Sequence, residues 1–144
     1  MKIKMRKILS LMLVLVIFVS TLLLTACQQN EKLVIKDSDT YIVIKTTAKD
    51  TSEITLMEYM STLKDKGELE FIIKDGMITS INGIENPADY SSCWMLYTSD
   101  ADNSNAAWGT IEYEGKEYGS AISGAETLKI KADQLYIWVY KSFS

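Results

Sequence analysis

Residues 22–30, LLLTACQQN, end a long apolar run on a cysteine and then turn abruptly polar. Upstream, Lys2, Lys4, Arg6 and Lys7 precede the stretch 8–24, which is apolar apart from Ser10, Ser20 and Thr21. A basic segment followed by an apolar one is the pattern of an export signal. At 17 residues the run is also just long enough to span a bilayer. Length therefore leaves both a cleaved signal and a retained helix open, and whichever holds, this part of the chain is not available to a globular core.

Leu24, Thr25, Ala26 and Cys27 resemble the lipobox of bacterial lipoproteins: an aliphatic residue, two small residues, then the cysteine that becomes the new N-terminus. The resemblance implies removal of residues 1–26 and attachment of a diacylglyceryl group to the Cys27 thiol. Two acyl chains hold a protein stably on a membrane where one is marginal. The alternative is an uncleaved anchor with an incidental cysteine. The expected location is the cell membrane, facing outside the cytoplasm.

Cleavage would leave 118 residues and a different charge. All 19 acidic residues lie beyond Cys27 and four of the 15 basic ones precede it, so 11 bases face 19 acids, a net −8. Phosphate binding needs a basic footprint, so nucleic acid is not an expected partner. With Cys27 acylated, Cys93 has no partner for a disulfide within the chain. Such a thiol can pair between chains or react, or it can serve as a small buried hydrophobe, as its setting in SSCWMLY suggests.

The expected organisation is a signal over 1–26, a polar tether over 27–39 broken only by Leu33 to Ile35, and one domain over 40–144. YIVIK at 41–45 reads as a strand. The period then changes: Leu56, Met60 and Leu63 fall on one stripe of a helix, with Asp50 and Glu53 as its start signal and Gly67 as its stop. Asp75-Gly76 and Glu114-Gly115 mark two-residue hairpins, Asn82-Gly83 ends a strand, and CWMLYTS and QLYIWVY read as further strands. These elements predict an α+β fold, a β-grasp-like mixed sheet of four to five strands packed on one helix.

The chain has no histidine, which removes imidazole metal sites and the commonest general base. Its carboxylates form no recognisable pair, and no enzymatic activity is expected. Asp100, Asp102 and Ser104 offer oxygen ligands at alternate positions, a weak calcium candidate. The pattern lacks the glycine and the closing glutamate of a calcium loop, since Asn105 and Ile111 stand there. In QLYIWVYK the strand period puts Leu135, Ile137 and Val139 on one face and Tyr136, Trp138 and Tyr140 on the other. If the aliphatic face meets the helix, the aromatic row turns outward and, with Trp94 and Trp108, makes a flat binding surface. The competing reading is a second small core under the 100–125 segment.

The order TLMEYMSTL, GMITSINGI, CWMLY and ADQLYIWVY resembles the small β-grasp-like domain that closes transcobalamin and intrinsic factor and recurs in bacterial surface lipoproteins. The resemblance covers about residues 40–141. The asparagine-glycine hairpin that usually follows the tryptophan strand is replaced by an Asp/Asn/Ser segment. In the vitamin carriers this domain covers one face of cobalamin and a helical barrel covers the other. The resemblance thus implies a non-enzymatic, lipid-anchored binding module for a flat ligand such as a corrinoid, or for another surface protein. An open face touching ~250 Å² of apolar ligand would yield on the order of 6 kcal/mol gross, much of it consumed by association. Tight capture by this chain alone is not expected, and no cofactor is called for. The alternative function is a structural or adhesion subunit of a surface assembly with no small-molecule ligand.

Overall fold

The computed structural model describes residues 31–50 and 53–143. The leader, the lipobox and Cys27 lie outside the described residues. Among the described residues, nine strands and one α-helix make an α+β arrangement. The strands are β1 (Val34–Ser38), β2 (Tyr41–Lys45), β3 (Phe71–Lys74), β4 (Met77–Ile81), β5 (Ile84–Glu85), β6 (Ser92–Thr98), β7 (Ser104–Tyr113), β8 (Lys116–Ala121) and β9 (Leu135–Ser142). The helix α1 is Leu56–Asp65.

Two sheets replace the single sheet of four to five strands expected from sequence: six strands in the order β1-β2-β9-β6-β8-β7, and three in the order β3-β4-β5. Among the described residues every strand pair is antiparallel, so the sheets are not mixed. The extra strands come from segments whose polarity hid them. β1 lies within the stretch read as a tether, and it pairs with β2 from Val34–Ile44 to Ser38–Tyr41. An edge strand can be polar on its outer face and still complete a ladder on its inner flank. Ser104 and Asn105, read as polar loop, begin β7 and pair with Ala121 and Ser120.

The turns follow their sequence signals closely. Asp75-Gly76, Asn82-Gly83 and Glu114-Gly115 each hold two consecutive residues at positive φ, between 48° and 86°, the geometry that matches strand twist in a two-residue hairpin. The second of these does more than end β4, since it folds β5 back onto it.

Helix α1 starts later than Asp50 and Glu53 predict. Thr55 is the N-cap: its hydroxyl accepts the Glu58 N–H at 3.2 Å, and the Glu58 carboxylate accepts the Thr55 N–H at 2.7 Å. The same spacing recurs two ways in DTSEITLME, and the pair next to the apolar stripe is the one that caps. Asp50 instead accepts the Thr47 N–H and the Tyr59 hydroxyl. The stop is as read: Gly67 has φ +73°, Gly67 N–H donates to Lys64 O and Glu68 N–H to Leu63 O, both at 2.9 Å, a Schellman closure.

The stripe Leu56, Met60 and Leu63, with Tyr59, is buried. It packs on Ile42 and Ile44 of β2, Tyr136 and Trp138 of β9, Trp94 and Leu96 of β6, and Phe71, Ile78 and Ile81 of the small sheet. The aromatic face of β9 therefore meets the helix, so the condition under which the row would turn outward, an aliphatic face against the helix, is not met. The aliphatic face, Ile137 with Leu135 and Val139 at its margins, belongs to a second core with Val43, Tyr97 and Tyr113. The reason lies in the curl of the large sheet. Tyr41 on β2 donates its hydroxyl to Glu112 O at 3.0 Å and stacks on Tyr113 with centroids 6.1 Å apart. β7 thus reaches back to β2 with β9, β6 and β8 between them. A sheet rolled onto itself buries both faces of its central strand, so the aromatic face packs under the helix and the aliphatic face inside the curl.

Candidate functional site

β6 is paired with β9 along its whole length, Ser92 to Thr98, but with β8 only through Tyr97 and Thr98. Beside the unpaired part lies a cleft of about 410 Å³. Its walls are Cys93 to Leu96 on one side and Ser120 to Ala125 on the other, with Gly76 to Ile78, Asn86, Tyr90 and Trp138 completing the lining. Asn86 and Tyr90 also line a second depression of about 610 Å³ with Ile72 and Ile73 of β3. Met77, Tyr90, Ile122, Ile72 and Ile73 are exposed, so apolar surface continues from the cleft onto the small sheet. An exposed apolar surface of this continuity marks an interaction site more often than an isolated apolar residue does.

The two cleft tryptophans are each 5% exposed but differ in how their indole nitrogens are served. Trp94 Nε1 donates to Ile84 O at 2.8 Å, and its backbone N–H donates to Asn86 Oδ1 at 3.0 Å. Trp138 Nε1 is buried with no acceptor, the one such side-chain atom among the described residues. A buried donor without a partner keeps its full desolvation cost.

The residues expected to form one aromatic surface are not brought together as such. Trp94 and Trp138 share the cleft. Tyr140 is half-buried against Trp94, ring centroids 5.4 Å apart, and donates to Glu85 O at 2.9 Å. Tyr136 is fully buried and accepts the Lys131 N–H at 2.9 Å. Trp108 stands apart, 62% exposed on the four-residue interruption between Asn105 and Thr110 where β7 leaves its register with β8. The cleft residues Met77, Tyr90 and Ile122 carry no motif. The one sequence signal toward them is that Met77 directly follows a hairpin turn and ends up exposed.

The calcium candidate is filled from within the chain. Asp100 is 3% exposed, and its carboxylate accepts Lys131 Nζ at 2.8 Å, Asn103 Nδ2 at 2.6 Å and the Asp102 N–H at 3.2 Å. Asp102 Oδ2 accepts the same ammonium at 2.7 Å. Burial works to raise the Asp100 pKa, but the hydrogen bonds from Lys131 and Asn103 outweigh it and hold the carboxyl below its usual range. Those same two carboxylates push the Lys131 ammonium up. Ser104 enters β7 opposite Ala121 and joins neither. A lysine ammonium thus occupies the place a cation would take. Among the described residues no three His, Cys, Asp or Glu side chains converge on a metal position.

Cys93 is half-buried in β6, with Sγ 3.6 Å from Met95 Sδ, and burial pushes its thiol up in pKa. A thiol so placed stays protonated near neutrality and is a poor nucleophile. It is less buried than a core cysteine because its side chain borders the cleft. No helix among the described residues is long and apolar enough to cross a membrane. No protein-family model matches the chain, and no curated protein or solved structure is significantly similar to it.

Proposed function

We infer that this chain is a non-enzymatic binding module, lipid-anchored through Cys27 outside the cytoplasm, whose ligand site is the cleft beside β6 rather than an exposed aromatic row. The cleft carries the reading. Its volume of about 410 Å³ falls in the range of small-ligand pockets, and its lining is apolar with a few polar groups. The titratable side chains in that lining are Tyr90 and the protonated Cys93, which suits binding rather than catalysis. The basic leader and the LTAC tetrapeptide support the anchor. One helix packed on an antiparallel sheet, with the order of motifs along the chain, supports a β-grasp-like domain of the transcobalamin type, enlarged by β1 and the β7–β8 hairpin.

A whole corrinoid is larger than this cleft, so it would engage by an apolar edge. The test uses the full chain with Trp108→Phe, which leaves Trp94 and Trp138 as the two remaining tryptophans, read by their indole emission. Addition of a corrinoid, or of a planar naphthalene, is expected to quench them. Silence with both up to ~1 mM, where binding is worth only about 4 kcal/mol, would remove the cleft as a site for flat small molecules.

A further inference from the structure

The cleft lies where two strands of one sheet part company. The β6–β8 ladder consists of Tyr97 with Ser120 and Thr98 with Gly119. Continued, that register would pair Leu96 with Ala121, Met95 with Ile122, Trp94 with Ser123 and Cys93 with Gly124. None of these pairs forms, and all eight residues line the cleft. One flank of β6, from Ser92 to Leu96, is therefore left without a strand partner, although the other flank is fully paired. Strand edges carry backbone groups that must be hydrogen-bonded or hydrated, which makes them templates for a further strand. At Trp94 the edge is capped by a side chain: Asn86 Oδ1 takes the backbone N–H where a neighbouring strand would offer a carbonyl.

We propose that the cleft is a strand-addition site for an extended peptide segment of a partner protein, apolar at alternate positions and basic at its ends. This rests on the binding reading above and names the class of ligand. The backbone edge favours a ligand that brings its own amides, which a planar hydrocarbon does not. The flanking charge favours a basic one. Asp75, Glu85 and Asp89 adjoin the lining residues Gly76, Asn86 and Tyr90, and the Glu126 carboxylate stands against Gly76. Against these four acids stand Lys74 and Lys141, whose ammonium lies over the Tyr97 ring, 4.9 Å from the centroid, so the surroundings of the cleft stay net negative. The same acids disfavour both an anionic lipid surface and a second copy of this acidic chain. Insertion would exchange the Asn86 cap for a peptide carbonyl and place alternate side chains against Trp94 and Leu96, which share one face of β6.

The experiment titrates the full chain in detergent micelles with a short lysine-flanked peptide alternating valine and threonine, followed by amide resonances. A second titration uses the same peptide N-methylated at alternate amides, which keeps the side chains and removes the ladder. The unmodified peptide is expected to bind with cross-strand contacts to the backbone of Trp94 and Leu96. The methylated one should bind at least about tenfold more weakly, a loss of roughly 1.4 kcal/mol. Equal affinity of the two, contacts confined to side chains of the rim, or no binding of the unmodified peptide by ~1 mM would each overturn strand addition. If the planar naphthalene still shifts cleft resonances in that case, the ligand site stands and only its peptide assignment falls. Silence of both removes both.

Discussion

Trp94→Phe and Trp138→Phe are a matched pair of perturbations, because both rings are 5% exposed and both line the same cleft. Each substitution removes about 40 Å³ of ring volume, which at the usual cavity coefficient costs about 1 kcal/mol. At Trp94 the change also deletes the 2.8 Å bond to Ile84 O, worth about 1 kcal/mol more. Trp94→Phe should therefore destabilise the fold by about 2 kcal/mol. At Trp138 there is no bond to lose, and the substitution removes a buried donor whose unmet desolvation costs about 1–3 kcal/mol. The net for Trp138→Phe runs from neutral to about 2 kcal/mol of stabilisation. The assay is urea unfolding of both variants and the parent, followed by far-ultraviolet circular dichroism so that loss of an emitter does not bias the readout. A Trp138→Phe variant as destabilised as Trp94→Phe would refute the account of the unpaired indole.

Removal of the helix cap by Thr55→Ala should cost about 1 kcal/mol, read as a lower urea midpoint with an unchanged slope. Asp100 contributes a pH dependence of definite sign. Its folded pKa lies below the unfolded one near ~4, so its stabilisation is complete above the unfolded value and is lost as pH falls through the folded one. Asp100→Asn should flatten that acid limb in a stability–pH profile, and an unchanged limb would contradict the ion pair with Lys131. Gly119→Ala places a Cβ 3.0 Å from Ala106 N and 3.1 Å from Asn105 C, backbone atoms that cannot turn aside, so a loss of about 1–3 kcal/mol is expected in the same unfolding assay. Mass spectrometry of the membrane fraction should find a chain that starts at an acylated Cys27, and an intact Met1 would contradict the anchor.

Much of the local structure was legible because it depends on few residues at short range. The three turn dipeptides adopt positive φ because the hairpin demands it at both positions, with glycine at the second and, in two of the three, a short Asp or Asn side chain at the first. The stripe Leu56, Met60 and Leu63 and the stop at Gly67 were readable for the same reason. The cap was displaced because two acid spacings competed, and the one adjoining the apolar stripe, Thr55 with Glu58, closes the capping box. β1 escaped notice because an edge strand needs apolar side chains on one face alone, and Val34 is the one buried residue in it.

The residue order by itself determined the basic leader and its cysteine, the lack of imidazole chemistry, the helix, the hairpin turns and the alternation along QLYIWVY. It could not say which side of that alternation meets the helix. Tyr41 packing on Tyr113 rolls the sheet so that both sides are covered, and no pattern within one strand encodes a contact 72 residues away. The cleft was decided at the same level. β6 and β8 stop pairing at Tyr97, residues of the small sheet and Trp138 line the gap that opens there, and only the assembled chain brings those parts together.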